Sequence, residues 1–209
     1  MPLTIKYNRN GAVVAVWHVT EPEQELRRLA DAKDIAVCEN FSSHARRCEW
    51  LAVRALLKEL LGVPAVVEYD QSGKPSLRGC KHFLSISHTN GYVAVALSPE
   101  PVGLDVELAT REVGAVYRRF MRDEELAGVP VSMVNRAKLL RWTSSEALYK
   151  LVGNLGGNFR DNIVVTSCDE GDSGVMNLSI VGLPCCCNDN FVVDFCFTDV
   201  LLLALCLRG

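Results

Sequence analysis

The chain has 209 residues, of which 49% are hydrophobic and 22% are charged, and its formal net charge is -3. This composition is that of a folded globular protein and excludes a disordered or fibrous chain. The slight negative charge excludes a global positive field for nucleic acid or a membrane surface, so any phosphate-binding surface has to be a local cluster.

The amino-terminal residues MPLTIKY lack the basic start and apolar run of a signal peptide. The longest apolar run, residues 200–207, is far shorter than the roughly 18 residues of a membrane span. We therefore expect a cytoplasmic protein whose nine cysteines are reduced. Cys185, Cys186 and Cys187 lack the spaced pairs of a structural zinc site, which favours buried or loop thiols over a metal.

The predicted elements alternate between strands and helices. In chain order we expect strands at 3–7 and 12–19, a helix at 21–31, a long helix at 42–61, strands at 65–69, 83–87, 92–97 and 102–107, a second long helix at 133–152, and strands near 163, near 176 and over 191–205, the last broken near residue 198. Both long helices carry a tryptophan followed by Ala-Leu and a lysine. This echo predicts two α+β lobes, residues 1–101 and 102–209.

Residues 101–108 read PVGLDVEL. Because alternate residues of a strand share a face, Gly103, Asp105 and Glu107 lie together opposite an apolar face. The two carboxylates are about 7 Å apart along the strand, near enough to hold a cation directly or through water. Oxygen ligands of this kind favour magnesium or manganese over zinc. The alternative is a half-buried edge strand whose acidic face is solvated.

The second long helix carries the segment RWTSSEALYK, residues 141–150. Trp142, Glu146 and Lys150 are spaced by four residues and form one stripe along the helix. One interpretation is a surface ion pair between Glu146 and Lys150, which contributes about 0.3 kcal/mol. The other is a third carboxylate that faces the acidic strand and completes a metal site. Spacing alone does not decide between them.

Potential phosphate-binding residues precede the acidic strand. Residues 70–75, DQSGKP, have the composition of a turn that presents Lys74. Ser87 and His88 lead into an Asn-Gly pair, which predicts a hairpin with both residues at a strand end. His88 either decorates this hairpin or donates to phosphate. Three arginines of the first long helix are either solvated or suited to bidentate phosphate contact: Arg46, Arg47 and Arg54.

Four motifs occur in one order along the chain: GKP at 73–75, SISHT at 85–89, GLDVE at 103–107 and WTSSEALYK at 142–150. In this order they resemble the 4′-phosphopantetheinyl transferase family, most closely its two-lobed, single-chain, surfactin-synthetase-activating type. The resemblance extends over residues 46–156. It implies an α+β fold of two similar lobes related by a pseudo-twofold axis, with coenzyme A in the cleft between them.

For the chemistry, the resemblance implies a magnesium ion held by Asp105, Glu107 and Glu146. Lys150 resembles a lysine that contacts phosphate and assists proton transfer. Glu146, directly or through a metal-bound water, is the best candidate for the base that accepts the proton of the acceptor serine. Positioning and electrostatics of this kind supply most of the catalysis in phosphoryl-type transfers.

For the coenzyme, the resemblance implies contacts to the phosphates and the adenosine from Lys74, Ser87 and His88. An arginine of the first long helix is expected near the 3′-phosphate, and either Arg47 or Arg54 matches it. These residue types supply positive charge and hydrogen-bond donors to a polyanion.

For the carrier protein, the segment after the acidic strand resembles a phenylalanine-to-glutamate segment near the family's carrier-binding face. Here this segment runs from Phe120 to Glu124 or Glu125. Three arginines beside it are expected to meet an acidic carrier helix: Arg118, Arg119 and Arg122.

The implied reaction moves 4′-phosphopantetheine from coenzyme A to a serine of an apo acyl or peptidyl carrier protein and releases 3′,5′-ADP. We expect a monomer that binds neither nucleic acid nor membrane. The chain departs from the family at Ser145, where a lysine usually precedes the helix glutamate. Two alternatives follow: a coenzyme- or carrier-binding homologue with weakened catalysis, and a magnesium-dependent phosphohydrolase. We expect Ser145→Lys to leave activity unchanged or to raise it.

Overall fold

The structure is a computed structural model that describes residues 3–153, 158–182 and 189–208. Its fold is mixed α+β, and contacts divide the chain into two compact units, Met1–Glu100 and Pro101–Gly209. The division falls one residue before the lobe boundary expected after residue 101. The pseudo-twofold likeness of the two lobes stays a prediction. Cys185, Cys186 and Cys187 lie outside the described residues.

The N-terminal unit contains six strands and three helices in its described part. In chain order these are β1 Leu3–Arg9, β2 Ala12–His18, α1 Glu23–Leu29, α2 Ala32–Cys38, α3 His44–Leu61, β3 Val67–Tyr69, β4 Pro75–Leu77, β5 Phe83–Thr89 and β6 Tyr92–Ser98. The four longer strands form an antiparallel sheet in the order β1-β2-β6-β5, and β3 pairs with β4. The predicted helix at 21–31 is shorter than expected, and α2 was not predicted.

Local sequence signals set the turns and ends of this unit. The hairpin between β5 and β6 turns at Asn90 and Gly91, whose φ angles are 31° and 84°, so the predicted Asn-Gly hairpin is confirmed. At the start of α3 the Ser43 side chain accepts a hydrogen bond from the backbone N–H of Arg46. α3 ends at Gly62, where a φ of 71° suits glycine. Its apolar side packs into one core with the sheet and with α1 and α2.

The described part of the C-terminal unit contains five strands, two α-helices and three short 3-10 helices. In chain order these are β7 Val102–Leu108, the 3-10 helices Gly114–Arg119, Asp123–Leu126 and Val131–Met133, α4 Val134–Val152, α5 Phe159–Asn162, β8 Ile163–Cys168, β9 Ser173–Ile180, β10 Asn190–Phe197 and β11 Leu201–Arg208. The strands form one antiparallel sheet in the order β7-β11-β10-β9-β8. The break predicted near residue 198 is confirmed as the turn between β10 and β11.

α4 packs across β7, β11 and β10, and its closest approach to the sheet is at Gly103. A Cβ at this position would lie 1.9 Å from the carbonyl oxygen of Ala147 and 2.7 Å from the backbone nitrogen of Leu151. Only a residue without a side chain permits such contact between a strand and a helix. The face of β7 that carries Gly103 is therefore the face that α4 covers.

Within the described ranges, no helix combines the length and the apolar character that a membrane crossing requires.

Candidate active site

Asp105 and Glu107 are buried on β7, with 6% and 7% of their surfaces exposed. They alternate with apolar residues and therefore share the strand face of Gly103. Because Gly103 touches α4, both carboxyl groups are on the side of that helix. β7 is an edge strand, but the alternative of a solvated acidic face is wrong, because the face is covered.

Two cations and an indole hold these buried carboxylates. Lys150 Nζ on α4 donates to Asp105 Oδ1 over 2.8 Å. Arg111, just beyond β7, forms an ion pair with Oε1 of Glu107, and the indole N–H of Trp142 donates to the same oxygen over 3.0 Å. Each buried negative charge thus has a positively charged partner, which offsets the cost of removing it from water.

Glu146 is the third acid of this region, half-buried on α4 one turn before Lys150. Burial and, after it, the charge of Asp105 raise the pKa of Glu146 from 4.5 to about 7, while Lys150 opposes them and Glu107 adds a smaller increase. Both strand carboxylates therefore act on Glu146. The structure brings these three acids together, and we call Asp105, Glu107 and Glu146 the acidic cluster.

The acidic cluster fits a hard divalent cation by its donor chemistry. Carboxylate oxygens are the ligands that magnesium and manganese prefer. The negative charges of the cluster have to be balanced by positive charge. In the metal-free chain Lys150 and Arg111 supply it, together with a proton that Glu146 holds near neutral pH. The ligand oxygens of the three acids do not all lie within 4.8 Å of one another. Side-chain rotation or bridging water is therefore needed, and magnesium retains several of its waters.

Ser145 lies on a different stripe of α4 from Glu146. Its side chain is fully buried, and its hydroxyl donates to the carbonyl oxygen of Arg141 over 2.6 Å and accepts from the Arg141 guanidinium. That guanidinium is 1% exposed and also pairs with Glu125 over 2.9 Å. A lysine at this position would enter the interior beside a buried cation. The expectation that Ser145→Lys preserves or raises activity is therefore replaced by an expected loss of stability.

A pocket of about 160 Å³ lies beside α3 in the N-terminal unit. Its basic and aromatic lining residues are Arg46, Trp50, Arg54, Tyr69 and His88. A nitrogen of the Arg46 guanidinium is 2.8 Å from His88 Nε2. Arg54 is 5% exposed, and its guanidinium carbon lies 3.3 Å from the centroid of the Trp50 ring. Fixed guanidinium groups beside aromatic rings suit a phosphate attached to an aromatic base.

Three residues predicted to contact coenzyme A are not among the described residues that line this pocket. Arg47 instead pairs with Glu23 over 2.9 Å, so of the two candidate arginines only Arg54 lines the pocket. Ser87 is buried on β5 and, as the strand neighbour of His88, points to the opposite face. Lys74 is half-buried in its turn, and the residues on either side of it reach the pocket.

The arginines expected at the carrier-binding face lie between β7 and α4, Arg118 and Arg119 at the end of the first 3-10 helix and Arg122 just before the second. Arg118 and Arg119 are exposed, whereas Arg122 is half-buried. Phe120 is 2% exposed and belongs to the core of the C-terminal unit, so it is not part of an open surface. Glu124 is exposed. The segment thus has exposed arginines next to a phenylalanine that is buried in the core.

Sequence reasoning did not select Arg111, and it named Arg46 as a possible phosphate contact without including it among the coenzyme contacts. Arg111 follows Glu107 by four residues, but this spacing has a fixed meaning only in a helix, and here it runs past the end of a strand. Arg46 meets His88 across 42 residues of sequence, and no local pattern indicates such a partner.

Comparison with known proteins finds a similarity over part of the chain. No protein-family model matches the chain. The 4′-phosphopantetheinyl transferase psf-1 of Bacillus pumilus is 28% identical to it over 108 residues, 48% of this chain and 46% of psf-1. The match thus spans about half the length of that relative. It supports a relation to the 4′-phosphopantetheinyl transferases and does not distinguish the two-lobed type.

Proposed function

We propose that the chain transfers the 4′-phosphopantetheine group of coenzyme A to a serine of an apo acyl or peptidyl carrier protein, in a magnesium-dependent reaction. The observation that carries this proposal is the acidic cluster, buried between β7 and α4 and paired with Lys150. The similarity to psf-1 supports the same chemistry. The two-lobed, surfactin-synthetase-activating type is part of the proposal.

The first role of the acidic cluster is to hold a cation that neutralises the negative charge of the coenzyme's pyrophosphate. Magnesium bound there neutralises negative charge on phosphate oxygens and stabilises the charge that develops during transfer. The Trp142 indole fixes one oxygen of Glu107, which orients that carboxylate as a ligand. Lys150 supplies a further positive charge next to Asp105.

The second task is the movement of the serine proton. The serine oxygen forms a bond to the phosphorus of the phosphopantetheine group, and the bond from that phosphorus to the leaving 3′,5′-ADP oxygen breaks. The proton of the serine hydroxyl passes to Glu146. Without a cation, burial and the charge of Asp105 raise the pKa of Glu146 to about 7, and a bound cation would lower it by favouring the charged carboxylate.

For the other end of the coenzyme we assign the pocket of the N-terminal unit to the adenosine 3′-phosphate. Arg46 and His88 offer exposed donors, while Arg54 is held rigidly over Trp50. Lys74 and Ser87 stay predicted contacts of the coenzyme outside this pocket. The exposed Arg118 and Arg119 and the half-buried Arg122 are the proposed contacts for an acidic carrier helix.

The test is incubation of the chain with coenzyme A, magnesium and an apo carrier protein, followed by the intact mass of the carrier. We expect the carrier to gain one phosphopantetheine group. Asp105→Ala should reduce the rate by about 100- to 1000-fold, because it removes a proposed metal ligand and the carboxylate that pairs with Lys150. Glu112→Gln is the matched control, since it removes an exposed acid of the same unit and should leave the rate unchanged.

Three other outcomes contradict the proposal in distinct ways. Coenzyme A binding without a mass gain on any carrier indicates a homologue without transfer activity. Phosphate release from coenzyme A in the absence of a carrier indicates a phosphohydrolase. A rate that persists in Asp105→Ala separates the transfer from the acidic cluster.

A further inference from the structure

A carboxylate, an imidazole and a thiol converge in the N-terminal unit, where α1 and α3 begin. Glu23 and His44 are the first residues of these helices, and Cys48 follows His44 by four residues on the same face of α3. One ligand atom from each of the three lies within 4.8 Å of those of the other two. Among the described residues, no other group of three or more His, Cys, Asp or Glu side chains has its ligand atoms this close together.

The distances between these side chains are close to those around a tetrahedral zinc ion. His44 Nε2 lies 3.7 Å from Glu23 Oε2 and 3.7 Å from Cys48 Sγ, and His44 Nδ1 lies 3.9 Å from the same sulfur. With zinc bonds of about 2.0–2.3 Å, ligand atoms in a tetrahedron are about 3.4–3.6 Å apart. A zinc ion therefore needs shifts of a few tenths of an ångström in these separations, together with a rotation of the His44 ring that turns one nitrogen toward the ion.

The chemistry of the three donors selects a different metal from the acidic cluster. A thiolate and an imidazole bind zinc and similar transition metals, whereas magnesium and calcium require oxygen donors. We propose that Glu23, His44 and Cys48 bind one zinc ion, with water in the fourth position. This site is independent of the proposed transfer activity.

The surroundings of the three residues fit an open site. His44 has a side chain that is 69% exposed, which leaves a route from solvent and room for a water ligand, while Cys48 is buried behind it. Glu23 is fixed by Arg27 and Arg47, each at 2.9 Å, as metal-binding carboxylates are usually fixed by neighbouring donors. The same two guanidinium groups repel a cation, so we expect weaker binding than in a site of four thiolates.

The test is titration of the full reduced chain with cobalt(II), followed by absorption spectroscopy and displacement with zinc. We expect one cobalt per chain, with a thiolate-to-cobalt charge-transfer band and the visible bands of tetrahedral cobalt. His44→Gln and Cys48→Ser should each weaken binding by at least about tenfold, because each removes a direct ligand. Since His44 is exposed, His44→Gln keeps the fold intact and makes the result independent of folding.

Two controls separate this site from the chain's other thiols. Cys80 Sγ lies 3.6 Å from His82 Nδ1 in the same unit, but this pair belongs to no described group of three donors, so Cys80→Ser should keep the cobalt spectrum. Replacing Cys185, Cys186 and Cys187 together by serine should keep it as well. Absence of a thiolate band overturns the proposal. So does a band that survives His44→Gln and Cys48→Ser, or one that either control abolishes.

Discussion

The two long helices, α3 and α4, each have three side chains at the same spacing, and the middle side chain is positive in α3 and negative in α4. In each helix a tryptophan is followed after four residues by a charged residue and after four more by a lysine: Trp50, Arg54 and Lys58 in α3, and Trp142, Glu146 and Lys150 in α4. Since positions four apart share a stripe, each tryptophan lies beside its charged residue.

The surroundings of the two central residues differ in how well their charges are matched. Arg54 is paired with Asp34 over 3.0 Å and stacked on Trp50, so its positive charge has a complete set of partners. Glu146 instead is half-buried next to the like charges of Asp105 and Glu107, and burial first and these charges second raise its pKa to about 7. A fold selected only for stability would not gather three acids in a covered region. Such a conflict of charges is typical of functional sites and is one reason why we propose one at α4.

The largest expected effect comes from placing a charge one residue before the central residue of the stripe, Arg54 in α3 or Glu146 in α4. That residue is Val53 in α3 and Ser145 in α4, and both are buried. Ser145→Lys forces an ammonium group next to the buried Arg141 guanidinium. We expect the free energy of unfolding to fall by about 3–5 kcal/mol, measured by urea denaturation.

Ser145→Ala is the control for this variant. It removes only the hydroxyl that Arg141 shares, so a loss of about 1 kcal/mol is expected. If Ser145→Lys keeps the stability of the parent and raises transfer activity, then this position serves the polyanion and our assignment of it to the interior is wrong.

A second variant tests the contact that brings α4 onto the acidic strand. Gly103→Ala places a methyl group against the backbone of Ala147, and backbone atoms of a helix cannot move aside singly. We expect a loss of about 1–3 kcal/mol in the free energy of unfolding, measured by thermal or urea denaturation, together with weaker magnesium binding by calorimetry.

Gly174→Ala is the matched control for Gly103→Ala, since neither glycine has a left-handed backbone. There the new methyl would lie 2.5 Å from Asp169 Cβ, so this variant should also lower stability, but it changes β9, which β11 and β10 separate from β7. Magnesium binding should therefore not change in Gly174→Ala. An equal weakening of magnesium binding in the two variants would show that the close approach at Gly103 does not position the acidic cluster.

Local sequence patterns predicted much of the fold because the periods involved are short. Both long helices, the Asn-Gly hairpin and the break between β10 and β11 follow from propensity, capping and turn chemistry. The alternation in β7 also placed Asp105 and Glu107 on one face. α2 was not predicted, because it has only seven residues and its capping residue, Asp31, is the last residue of the helix that was predicted before it.

The same patterns did not determine which way a face points or which distant residue it meets. The period of β7 allowed a solvated or a covered acidic face, and the decision depends on the packing of Gly103 against α4. Ser145 occupies the motif position where the family usually has a lysine, yet its side chain is buried and hydrogen-bonds to Arg141. The pairing of Arg46 with His88 depends on the sheet and has no local signal.

A third prediction concerns the pH dependence that the charge conflict at α4 creates. The folded chain holds the Glu146 proton with a pKa of about 7, whereas the ordinary value is 4.5. The group's contribution to stability is therefore complete below about pH 4.5 and is lost as the pH rises through about 7. We expect the free energy of unfolding of the metal-free chain to fall over this range, measured by urea denaturation in chelator.

Glu146→Gln should remove that part of the slope, because glutamine does not titrate. The difference between the parent and this variant cancels the contributions of other groups, such as Asp34, whose pKa burial also raises. Identical slopes for the two chains would mean that Glu146 is not in conflict with its neighbours.

The smallest expected effect on stability concerns the pocket beside α3. Arg46 has a side chain that is 42% exposed, so Arg46→Ala should change the free energy of unfolding by less than about 0.5 kcal/mol. If its guanidinium binds the 3′-phosphate, the dissociation constant for coenzyme A should rise about tenfold, equivalent to about 1.4 kcal/mol, while that for dephospho-coenzyme A should not change. Calorimetry with both ligands measures this ratio.

Arg78→Ala is the control, since Arg78 is also exposed but pairs with Glu68 and does not line the pocket. An equal loss for both ligands in Arg46→Ala would place the 3′-phosphate elsewhere.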